Sequence, residues 1–144
     1  MEGAKVRYLL DTAVWCHLTM DQHLVPVRLL ELVKNEPEVG LASVSILEAA
    51  ILHRIGKLSL KGSLADFFAA GLARNTKVLD ISAAVALETN ALPSEFNGDP
   101  FDRTVAATAR VFQLVPITTD PQIRDQSGID PVEYYPFKPH RRSV

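Results

Sequence analysis

Five carboxylates in this 144-residue chain occupy positions where their type and spacing could support chemistry. Asp11 directly follows the apolar run Val6–Leu10, and Asp120 follows Leu114–Thr118 after Thr119. If both runs are parallel strands, both carboxylates lie at one edge of the sheet, where open α/β folds place their functional crevice. Asp99 and Asp102 open a helical pattern through Asp99-Pro100-Phe101-Asp102. Glu48 lies within another, among Val44, Leu47, Ile51, Leu52 and Ile55.

Each carboxylate also has a plain structural role. Aspartate is a favoured helix N-cap, and a proline at the first helical position suits both Asp99 and Asp120. Asp102 would gain from the helix dipole, yet it heads the apolar row Val105, Ala106 and Ala109 and so should point inward. Glu48 on a core-facing stripe is costly unless it pairs with a base such as Arg54 or Arg103, or binds a metal. Gathered in one cleft, such carboxylates would repel, and some would stay protonated near neutrality. A divalent cation reverses that penalty, and oxygen-only ligands select a hard ion such as Mg²⁺ or Mn²⁺. A site of that kind activates water and screens a phosphodiester in its transition state. Metal-dependent phosphodiester hydrolysis is the leading chemistry.

The elements that must hold these groups alternate. Strands are expected at Val6–Leu10, Val39–Ala42, Lys77–Ile81 and Leu114–Thr118, with a late edge strand at Val132–Tyr135. Helical patterns fall over 12–19, 24–35, 43–55, 63–74, 82–92 and 100–112, with a short helix after Pro121. That alternation argues an α/β domain with a mainly parallel sheet covered on both faces. One domain over 1–137 and an exposed basic tail over 138–144 are expected from the length and the pattern.

Composition narrows the classes further. The chain is 47% apolar and 22% charged, which excludes a disordered tail protein. Its 15 basic and 17 acidic residues give a net charge of −2, so any nucleic acid must be held locally. The single cysteine, Cys16, offers neither an internal disulfide nor a thiolate zinc cage. No signal-peptide core or membrane-length apolar run is legible, which makes a cytoplasmic protein the default.

Four pieces of the chain together resemble the PIN domain family, in particular VapC-like toxin ribonucleases. They are Leu9-Leu10-Asp11-Thr12 with Trp15, and Ser45-Ile46-Leu47-Glu48-Ala49-Ala50 running into His53-Arg54-Ile55-Gly56-Lys57-Leu58. The others are Asp99-Pro100-Phe101-Asp102-Arg103 with Ala106-Ala107-Thr108-Ala109, and Ile117-Thr118-Thr119-Asp120. The resemblance implies a three-layer α/β/α fold around a five-stranded, mainly parallel sheet. It implies a Mg²⁺- or Mn²⁺-dependent endoribonuclease with Asp11, Glu48, Asp102 and Asp120 as its acidic quartet. Asp99 matches an additional acidic position that assists the metal or only caps its helix, and Thr12 and Thr118 match supporting hydroxyls. Implied partners are an RNA substrate, a small VapB-like antitoxin and a second copy of the chain in a homodimer. The one departure is Ala42, where many relatives carry serine.

Arg54, Lys57 and Arg103 are candidate contacts to RNA phosphates, against the alternative of solvated helix ends. His17, His23, His53 and His140 lack metal-ligand spacing. Trp15, Phe67, Phe68 and Phe112 read as core or dimer contacts. A haloacid-dehalogenase-like phosphatase would need a second aspartate at position 13, which is Ala13. A phosphoreceiver domain would need an early acidic pair that is absent. The remaining rival is a PIN-like module that binds RNA or protein without cutting it.

Overall fold

A computed structural model describes residues 5–138 of the chain. The strands are β1 (Tyr8–Leu10), β2 (Val39–Ala42), β3 (Thr76–Leu79), β4 (Val115–Thr118) and β5 (Glu133–Tyr134). They form one five-stranded sheet in the order β3-β2-β1-β4-β5, and every pairing is parallel. The helices are α1 (Thr12–Met20), α2 (Val27–Asn35), α3 (Ser43–Arg54), α4 (Leu64–Ala73), α5 (Ala83–Ala91), α6 (Pro100–Phe112) and α7 (Pro121–Gln126). Among the described residues no helix is long and apolar enough to cross a membrane.

The two-residue period of β1 explains the three layers. Leu10 joins one core cluster with Trp15, Leu29, Leu41 and Phe67, while adjacent Leu9 joins another with Val105, Ala106, Ala109 and Ile123. Helices therefore cover both faces of the sheet, as a fully parallel sheet requires.

Chain order places the functional edge. From central β1 the chain moves to β2 on one side and later to β4 on the other. Such a reversal opens a crevice beyond the carboxyl ends of the strands. Asp11 alone separates β1 from α1, and β2 passes into α3 without a loop.

Several expected elements differ in extent: β1 begins at Tyr8 rather than Val6, β3 is Thr76–Leu79 rather than Lys77–Ile81, and β4 begins at Val115. The helix anticipated over 24–35 is a 3₁₀ turn at Gln22–Leu24 followed by α2, because Pro26 cannot continue a hydrogen-bonded helix from Leu24. The late strand is only Glu133–Tyr134, a short parallel edge strand on β4. Of the expected basic tail, Lys138 is exposed, and residues 139–144 lie outside the described residues.

Candidate active site

Three aspartates cap helices at the carboxyl edge of the sheet. Asp11 is the N-cap of α1, and its Oδ1 accepts from Thr12 N at 2.7 Å. Asp99 caps α6 by accepting from Asp102 N at 2.9 Å. Asp120 caps α7 by accepting from Gln122 N at 2.8 Å. Each cap engages one carboxylate oxygen, so capping and ligand binding are compatible. Thr118 Oγ1 donates to the second oxygen of Asp11 at 2.6 Å and accepts from Asp120 N at 2.9 Å.

Asp102 sits one turn into α6, half-buried, on the side that continues into buried Val105, Ala106 and Ala109. Glu48 is also half-buried, but not for the expected reason. The buried residues of α3 are Val44, Ser45 and Ala49, while Leu47 is 55% and Ile55 50% exposed. Small residues mark the inner side because α3 approaches α1 closely there. Thr12 Oγ1 donates to Ser45 Oγ at 2.7 Å across that contact. Glu48 follows Ser45 by three residues and so lies beside it.

Electrostatics tie these groups into one site. Burial, then the charges of Asp99, Asp11, Asp120 and Glu48, push the Asp102 carboxyl up to about 7. Burial raises Glu48 to about 7; the Thr12 hydroxyl opposes this, and the charges of Asp11 and Asp99 add to it. Asp11 is raised chiefly by burial, against its bonds to Thr118 and Thr12, with Asp120 and Asp99 adding repulsion. Burial and the same acidic field, from Glu48 and Asp11 foremost, push the Cys16 thiol up to about 12 and make it a poor nucleophile.

A hard divalent cation suits this donor set, which is all oxygen and mutually repulsive. As the side chains stand, no three His, Cys, Asp or Glu among the described residues are arranged to hold a metal ion. The donor chemistry fits such a cation.

Arg54 and Lys57 are exposed at the end of α3. Arg103, the third candidate contact to RNA phosphate, turns its guanidinium to the protein. Its Nη1 donates to Phe96 O at 2.9 Å, its Nη2 donates to Thr89 O, and the guanidinium lies 5.9 Å from the centre of the Phe96 ring. A half-buried arginine with these partners braces the protein interior.

Three neighbours of the site escaped sequence reasoning. Ser45 is fully buried against Thr12, and its only sequence signal is the small-residue spacing of Ser45 and Ala49. Gln122 accepts from Asn97 N through Oε1, which no local pattern announces. Tyr135 hydrogen-bonds His17 Nδ1 at 2.8 Å, and burial, then the Asp11 charge, raise its phenol.

With this geometry in hand, comparison with known proteins gives consistent relatives. The PIN domain family matches residues 8–128. Ribonuclease VapC22 of Mycobacterium tuberculosis is 27% identical over 124 residues, spanning 86% of this chain and 95% of that protein. DNA-bound VapBC from Salmonella typhimurium superposes with a TM-score of 0.69 at 19% identity, covering 90% of this chain and 98% of that one. Mycobacterium tuberculosis VapC20, a sarcin–ricin loop cleaving toxin, gives 0.58 at 17% identity, covering 81% and 92%. The structural matches establish a shared fold, and the family match spans most of the chain. This chain belongs to the PIN domain family.

Proposed function

We propose that the chain is a Mg²⁺- or Mn²⁺-dependent endoribonuclease, the toxin of a VapBC-like pair. The observation carrying this reading is that Thr118 joins Asp11 to Asp120, and that half-buried Asp102 faces the like charges of both and of Glu48, so that four separate segments bring carboxylates to one place. Repulsion of that kind is costly in a folded protein unless a ligand uses it.

Asp11, Glu48, Asp102 and Asp120 would hold the cation, with Asp99 as a fifth oxygen donor. When bound, the metal supplies the positive charge that screens an RNA phosphate and makes a water molecule more acidic. Thr118 and Thr12 hold Asp11 in one rotamer, so its carboxylate need not reorganise on binding. Arg54 and Lys57 are free to meet RNA phosphates beside the cleft.

A VapB-like antitoxin is the proposed protein partner, because an acidic cleft attracts a basic segment. Exposed Leu47 on α3 and Ile55 at its C-terminal cap support a homodimer. A cytoplasmic location is part of the same proposal, where cellular RNA and the antitoxin would be met.

Cleavage of total cellular RNA by purified, partner-free protein with Mg²⁺ or Mn²⁺ tests the reading. Discrete fragments are expected, lost on chelation and in Asp102→Asn. No cleavage by the folded wild type would favour a PIN-like binding module.

A further inference from the structure

The segment joining α5 to α6 links two carboxylates of the cleft. Its residue Phe96 is 2% exposed and belongs to the same core cluster as Val105 and Ile123. Arg103, directly after Asp102, donates to Phe96 O at 2.9 Å and to Thr89 O at the end of α5. One guanidinium therefore ties the first turn of α6 to the last turn of α5 and to the middle of the segment between them, a task that suits its rigid fork of donors.

Gly98 closes the same contact from the other side. A Cβ there would stand 2.6 Å from the Phe96 ring and 2.7 Å from Asp102 Cβ. No side chain larger than hydrogen fits between the segment and Asp102. Beyond Phe96, Asn97 N donates to Gln122 Oε1, and Gln122 N donates to Asp120 Oδ1 at 2.8 Å. A continuous path therefore runs from Arg103 through Phe96, Asn97 and Gln122 to Asp120, beside the direct packing of Gly98 on Asp102.

We propose that Arg103, acting through the Phe96–Gly98 segment, is a positioning residue that fixes Asp102 relative to Asp120. Its charge serves the geometry of the acidic cleft and does not bind RNA. Gly98 does the same work by leaving space. Small displacements suffice to matter, since a misplacement of about 1 Å costs on the order of a hundredfold in rate.

Two variants test this in the full chain. Arg103→Gln removes the fork and keeps a polar side chain; Gly98→Ala leaves Arg103 in place and pushes on Asp102. Mn²⁺ affinity by calorimetry should weaken by about ten- to hundredfold in both, the range for losing a group that orients a metal ligand. RNA cleavage should lose about tenfold or more in kcat, with KM for RNA and its salt dependence unchanged. Arg103→Lys, which keeps a donor without the fork, should recover part of the loss.

A raised KM with a shallower salt dependence and an unchanged kcat in Arg103→Gln would overturn the proposal and make Arg103 a phosphate contact. Unchanged Mn²⁺ affinity in both folded variants would overturn it as well. The kcat readout rests on the ribonuclease reading, whereas Mn²⁺ affinity does not. A wild type that binds Mn²⁺ but cuts no RNA would sink that reading, and the affinity comparison would still decide the role of Arg103. A folded wild type that binds no Mn²⁺ would overturn both.

Discussion

Thr118 Oγ1 donates to Asp11 Oδ2 at 2.6 Å, joining the ends of β4 and β1 across 107 residues of sequence. The same hydroxyl accepts from Asp120 N at 2.9 Å. One fully buried threonine thus sets the relation between two acidic segments of the cleft.

Thr118→Val keeps the shape and deletes both bonds. It should destabilise the protein by about 1–3 kcal/mol, since a buried carboxylate oxygen and a backbone N–H each lose a partner. Urea unfolding measures this, and Thr118→Ser should stay near wild type. Equal stability of the valine variant would mean the bond is not formed.

Asp102→Asn should separate stability from activity. It removes a repelled, half-buried charge, so the metal-free variant should melt above wild type at pH 8 while cleaving no RNA. Thermal melts with and without Mg²⁺ check it: wild type should gain from Mg²⁺ and the variant much less. A variant that melts below wild type without metal would show that the carboxylate is paired.

The pH dependence of the metal-free protein follows from the same charges. Folded, Glu48 and Asp102 keep their protons up to about 7, whereas the unfolded chain releases them at about 4. Between those limits the folded state binds more protons, so their contribution to stability falls as pH rises. Buried His17 acts oppositely: its proton affinity is lowered, so stability is lost as pH falls below about 6.5. Urea midpoints of wild type and Glu48→Gln/Asp102→Asn across that range isolate the carboxylates, because His17 is common to both. The double variant should show a smaller fall toward neutrality, the remainder coming from Asp11, whose carboxyl burial also raises, and parallel curves would contradict it.

Gly71→Ala sets helix propensity against packing. Alanine in α4 gains about 1 kcal/mol over glycine. Its Cβ, however, would stand 2.8 Å from Nε1 of fully buried Trp15, which donates to Gly71 O at 3.0 Å and packs on Phe67. Overpacking of this kind costs about 1–3 kcal/mol, so net destabilisation is expected. A rise in Tm would show that Trp15 can move aside without cost.

Local signals carried much of the architecture. Asp99-Pro100 and Asp120-Pro121 announce their helix starts, and Ser82 caps α5 by accepting from Val85 N. Gly56, at φ 83°, follows α3 where a left-handed residue is needed. The inward side of α3 was not legible in this way. Large apolar residues suggested a buried stripe through Leu47 and Ile55, but close helix contact selects small residues, and Ser45 and Ala49 mark the true inner side.

The alternation of strands and helices and the three aspartate caps are already written in the sequence. These are properties of neighbouring residues, set by dihedral preference, periodicity and local hydrogen bonding. It took the folded arrangement to show that Thr118 serves both Asp11 and Asp120, that Arg103 turns to Phe96 and Thr89, and that Gln122 bridges to Asn97. Those bonds join segments far apart in the chain, and an arginine reads the same in sequence whether it faces solvent or a buried carbonyl. Its partner is fixed by the packing of α6 on α5 and the sheet, which depends on the whole chain.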